Sequence, residues 1–115
     1  MSDEINLPTF TALPVSTITN KPVLHFAHAN GMPSAVYQPF FEKLAEFFTI
    51  EYIAMLGATP DYPVDDHWRS LTQQIIDSVK NTCEKHGVTQ VVAVGHSLGA
   101  MCTLQALYRA PQYFA

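Results

Sequence analysis

Gly95-His96-Ser97-Leu98-Gly99 stands between an apolar strand pattern, Val91-Val92-Ala93-Val94, and a helical pattern that begins at about Leu98. A G-x-S-x-G turn in that setting ties the end of a sheet strand directly to a helix. A serine on so sharp a turn takes a strained backbone and is pushed into solvent. Side chains two residues before and after it would collide across the turn. Glycines at 95 and 99 remove that collision, and Ala100 keeps the next position small. The following helix aims its N-terminal amides at the serine, which favours a developing negative charge. Ser97 is therefore the candidate nucleophile. The plainer alternative is a glycine-rich strand-to-helix turn with an incidental serine.

The rest of the chain alternates in the same manner. Val23 to Ala29 reads as a buried strand that runs into the tight loop Asn30-Gly31-Met32-Pro33. Ser34 to Phe48 places Tyr37, Phe40, Phe41, Leu44, Phe47 and Phe48 at three- and four-residue spacing, one apolar helix face. Pro39 belongs in a first turn, since an interior proline breaks the hydrogen-bond ladder. Thr49 to Met55 is a second strand and Leu56 to Asp66 a loop. Asp65 or Asp66 caps a helix reaching His86, with Trp68, Leu71, Ile75, Val79 and Cys83 as its buried stripe and Gly87 as a left-handed stop. Val88 to Val94 is a third strand, and Leu98 to Ala110 a third helix ended by Pro111. Before these, residues 1–8 read as a flexible tail, and Thr9 to Thr19 as one or two short strands broken at Pro14. Strands alternating with helices imply β-α-β crossovers and an α/β fold, a mainly parallel sheet with flanking helices.

Composition narrows the function. Hydrophobic content of 48% and charged content of 14% describe one globular domain. A net charge of −4, with the six lysines and arginines scattered, gives no footprint for nucleic acid. No apolar run reaches the length of a membrane span, and the acidic start Met1-Ser2-Asp3-Glu4 is not a signal peptide, so a cytoplasmic location is expected. Cys83 and Cys102 read as two free, buried thiols. His25 and His28 are three apart on a strand, which sends their rings to opposite faces, so no metal site is expected.

Together, the loop Asn30-Gly31-Met32-Pro33 and the turn around Ser97 resemble the α/β-hydrolase superfamily, in particular its esterase, lipase and peptidase-like branches. Gly31-Met32-Pro33 matches the Gly-x-Pro part of the family's oxyanion loop, and Asn30 stands where many members have histidine. The resemblance implies that the backbone N–H groups of Met32 and Leu98 form the oxyanion hole, with Asn30, Gly31, His28 and His96 around the substrate. It implies a small-molecule acyl substrate, no cofactor, and a sheet in which the first strand lies between the second and the nucleophile strand.

The resemblance covers residues 9–115 and accounts for the N-terminal half of the family fold. Family members place an acid and then a histidine after the serine. Here no His, Asp or Glu follows Ser97. A Ser97–His28 dyad is geometrically conceivable, because both strands end at the site, but the better reading has His28 shaping the oxyanion loop. These residues are thus expected to be part of a hydrolase, inactive alone, with the strand at 88–94 exposed as a sheet edge open to self-association or to a missing segment. Two rivals remain. One is a non-catalytic binding module retaining the half-fold. The other is a cofactor-free haloperoxidase or lyase using the same serine turn.

Overall fold

A computed structural model describes residues 21–115. The tail at 1–8 and the strands expected between Thr9 and Thr19 lie outside the described residues. Three parallel strands form the sheet: β1 (Val23–Ala27), β2 (Thr49–Tyr52) and β3 (Val92–Gly95), in the order β2-β1-β3. Val23 to Phe26 pair with Thr49 to Tyr52, and Leu24 to Ala27 pair with Val92 to Gly95. The central position of β1 follows from its composition, since all five of its residues are buried.

Alternation along β1 divides the core. Leu24 and Phe26 face α1 (Gln38–Leu44) and pack with Phe41. Val23 and Ala27 face α2 (Arg69–His86) and α3 (Leu98–Arg109), in a larger cluster with Leu71, Ile75, Val79, Val91, Cys102 and Ala106. Helix α3 buries only small residues, Gly99, Cys102 and Ala106, so it can lie close to the sheet. Thr72 Oγ1 donates to Gln105 Oε1 at 2.7 Å and ties α2 to α3. Cys83 and Cys102 are free and buried, and burial pushes both thiols up from their ordinary pKa.

Several elements are shorter than their sequence patterns, each for a local reason. The helix expected over Ser34–Phe48 begins as a 3₁₀ turn, Ser34–Tyr37, becomes α-helical at Gln38 with Pro39 in its first turn, and stops at Leu44. There the Leu44 carbonyl accepts from both Phe47 and Phe48 amides, and Lys21 Nζ donates to the Ala45 carbonyl at 2.7 Å. Trp68 lies in a 3₁₀ turn, Asp66–Trp68, ahead of α2, so it packs on the core from outside the helix. The N-cap position of α2 is Trp68, and Asp65 holds the first turn from ahead of it: its two oxygens accept from the Ser70 amide and hydroxyl at 3.2 and 2.9 Å, which holds its carboxyl below the ordinary range. The strand expected from Val88 starts at Val92, because Val88 still belongs to the helix end. Its amide and that of Gly87 (φ 65°) both donate to the Cys83 carbonyl.

The outer side of β3 is partly occupied. Val91 forms a parallel bridge with Phe114, in which the Val91 amide donates to Tyr113 at 2.9 Å and the Ala115 amide donates to Val91 at 2.8 Å. Among the described residues nothing else pairs along that edge, so the open stretch is Val92–Gly95 rather than 88–94.

Candidate active site

β1 and β3 end side by side, with Ala27 opposite Gly95, and the His96 amide donates to the Ala27 carbonyl at 3.0 Å. Two loops therefore leave the sheet together. One carries Asn30, Gly31 and Met32, and the other carries His96 and Ser97. All five residues are exposed.

Ser97 has φ 56° and ψ −115°, a sparsely populated conformation for any residue but glycine. The turn is forced by packing on both sides. A Cβ at Gly95 would stand 2.6 Å from the backbone of Ala100. One at Gly99 would overlap the Ala27 carbonyl oxygen and stand 2.5 Å from that of His28. Helix α3 thus starts against the end of β1, and no side chain fits between them. Leu98 is its first residue, so the Leu98 amide has no intrahelical acceptor and is available to an anion.

The second expected donor is engaged elsewhere. The Met32 amide donates to the Ala29 carbonyl at 3.1 Å, closing a turn in which Gly31 has φ 75°. The two amides named for the oxyanion hole are not both free in this conformation.

His28 is 1% exposed and lies beneath the loop, out of reach of a substrate. The Leu56 amide donates to its Nε2 at 2.6 Å, so Nδ1 carries the proton and donates to the Ala29 carbonyl at 2.7 Å. Both nitrogens are used, and no dyad with Ser97 forms. Ser34, fully buried, adds two more ties to the same region: its hydroxyl donates to the Ile53 carbonyl and its amide to that of Ala54.

No side chain among the described residues hydrogen-bonds the Ser97 hydroxyl. His96 is turned to Tyr37, whose hydroxyl lies 2.9 Å from its Nδ1. Tyr37 and Ser34 carried no functional signal in the sequence. Tyr37 fits the apolar stripe of the helix, and only a folded chain places its hydroxyl between the two loops.

His25 is the other buried imidazole. It meets Ser78 Oγ at 2.8 Å, and burial lowers its pKa to about 4, with Glu51 pulling partly the other way. It faces α2, away from the partners of His28. Among the described residues no cluster of three or more His, Cys, Asp or Glu could hold a metal ion, and no helix is long and apolar enough to cross a membrane.

No family model and no curated sequence matches the chain. Among solved structures it is similar to 2-hydroxy-6-oxo-6-phenylhexa-2,4-dienoate hydrolase from Rhodococcus sp. strain RHA1, with a TM-score of 0.66 at 24% identity. The match covers 82% of this chain and 36% of that one, so the chain spans about a third of that hydrolase's length. At this identity the likeness speaks for the fold alone, a parallel sheet with flanking helices.

Proposed function

We propose that Ser97 is the nucleophile of a serine hydrolase acting on a small-molecule ester, thioester or amide. The observation that carries this reading is the backbone of Ser97. A strained, exposed serine is held between two glycines at the end of a sheet strand, with an open helix amide next to it.

In this mechanism Ser97 Oγ attacks the acyl carbonyl while a histidine other than the five of these 115 residues takes the hydroxyl proton. The Leu98 amide receives the developing oxyanion. The Met32 amide joins it by giving up the Ala29 carbonyl, a second donor worth roughly 3 kcal/mol in the transition state. Collapse of the tetrahedral species expels the alcohol, thiol or amine, which leaves with the proton held by the histidine. Water then repeats the sequence on the acyl-enzyme, with the same histidine as base, and releases the acid.

A fluorophosphonate probe tests this. The 115 residues alone label weakly or not at all, because no base reaches Ser97. The protein as its own cells express it labels, and Ser97→Ala abolishes the label. Failure of Ser97 to label there overturns the reading.

The engaged Met32 amide and the unpartnered Ser97 hydroxyl favour a second reading, a binding module that keeps the turn without the chemistry. It requires Ser97→Ala to leave biological activity intact. Self-association belongs to either reading and centres on the Val92–Gly95 edge. It appears as a concentration-dependent shift in size-exclusion elution.

A further inference from the structure

Tyr37 links three parts of the molecule that the sequence keeps apart. Its ring is set in the aromatic cluster on the α1 face, with its centroid 4.6 Å from Phe26 and 6.3 Å from Phe41. Its hydroxyl accepts the Ala29 amide at 3.1 Å and lies 2.9 Å from His96 Nδ1. The His96 ring also meets the Tyr37 ring edge-on at 5.9 Å.

One proton arrangement of this chain of bonds spends the Tyr37 hydrogen within it when the imidazole is neutral. An amide can only donate, so the Tyr37 oxygen accepts from Ala29. Its own hydrogen is then free to go to His96, where Nδ1 accepts it in this arrangement. The same arrangement puts the proton of the His96 ring on Nε2. We propose that Tyr37 is a positioning residue for the Ser97 site: it clamps the Asn30–Met32 loop to the serine turn and holds His96 as the Nε2–H tautomer. This rests on the serine-hydrolase reading for its purpose, though not for its geometry.

Two consequences follow. His96, the nearest imidazole in sequence to Ser97, offers a donor rather than an acceptor, so it is not the base. The spacing between the loop amides and the serine is fixed from the α1 side, by an aromatic side chain that need not touch a substrate. Small displacements of such elements cost reactivity steeply.

Tyr37→Phe removes one oxygen and keeps the ring in its aromatic cluster, so the fold is retained. The chain is labelled with nitrogen-15 and held near pH 8, roughly 1.5 units above the ordinary imidazole value. The long-range proton–nitrogen spectrum of His96 then reads the tautomer directly. The wild type gives Nε2–H alone, and Tyr37→Phe gives a mixture of both forms. Exchange of the Ala29 amide, which loses its acceptor, rises at least tenfold in the variant, while amides of Leu24 and Phe26 in mid-strand keep their rates. An unchanged His96 tautomer in Tyr37→Phe overturns the proposal, as does unchanged exchange at Ala29. Neither readout depends on Ser97 reacting, so the labelling experiment and this one fail separately.

Discussion

The Leu56 amide and the His28 imidazole are joined by a 2.6 Å hydrogen bond across 28 residues, and this bond ties the loop after β2 to the loop after β1. Both partners are buried, so neither group has water as a substitute. His28→Ala orphans the Leu56 amide and opens a cavity, and we expect it to cost about 3 kcal/mol in urea unfolding. His28→Gln keeps one acceptor and one donor and should recover part of that loss. Equal losses in the two variants would show that volume, not hydrogen bonding, is what His28 contributes.

The close approach of α3 to β1 makes Gly99 far less replaceable than Gly87. At Gly87 the only obstacle is the left-handed backbone, with nothing within 4 Å of a Cβ. Gly87→Ala should cost about 1 kcal/mol. At Gly99 the obstacle is the Ala27 and His28 backbone, which cannot swing aside. Gly99→Ala should cost about 3 kcal/mol or prevent folding. Comparable urea midpoints for the two variants would contradict the observed approach.

Strain at Ser97 predicts a variant that is more stable and chemically dead. Glycine adopts φ 56°, ψ −115° with little penalty, whereas a side chain there costs about 1–3 kcal/mol. Ser97→Gly gives part of this back in unfolded-state entropy, leaving an expected gain of about 1 kcal/mol. Ser97→Ala retains the strain and should match the wild type. Thermal melts of the three chains decide it.

Acid sensitivity should begin with His25. An unfolded histidine titrates near 6.5, while the folded one is held down to about 4. As pH falls, the unfolded chain binds a proton that the folded chain refuses. Stability is therefore complete above about pH 6.5 and declines toward about pH 4, by on the order of 3 kcal/mol at full extent. Glu51 acts lower. Partial burial pushes its carboxyl up, but hydrogen bonds from Lys85 and His86 outweigh this and hold it below its ordinary value. Urea midpoints measured from about pH 7 to about pH 4.5 should fall in the wild type and stay nearly flat in His25→Gln. A slope shared by both chains would move the cause to another group.

Much of this fold can be read along the chain, because the strand runs at Val23, Thr49 and Val91 and the stripe of α2 are periodic. Element ends were harder. Val88 is β-branched and apolar, yet its amide is needed to close α2 on the Cys83 carbonyl. Phe47 and Phe48 continue a helical spacing past the point where the Leu44 carbonyl ends the helix. The Ser97 turn is legible because its glycines answer to local sterics. The engagement of the Met32 amide is a matter of backbone direction, which residue types do not encode. Tyr37 was hidden for another reason: its ring satisfies the apolar pattern completely, so nothing in that pattern draws notice to its hydroxyl.

Ala29 draws these threads together. Its carbonyl accepts from His28 and from Met32, and its amide donates to Tyr37. Its side chain is a single methyl group. A scan that truncates side chains to alanine passes over this position silently, although three neighbours are anchored to its peptide groups. Chemical synthesis can reach what mutation cannot. An ester linkage between His28 and Ala29 replaces a single N–H with oxygen and leaves every side chain intact. The wiring of the loop would then be tested with no change in the encoded sequence.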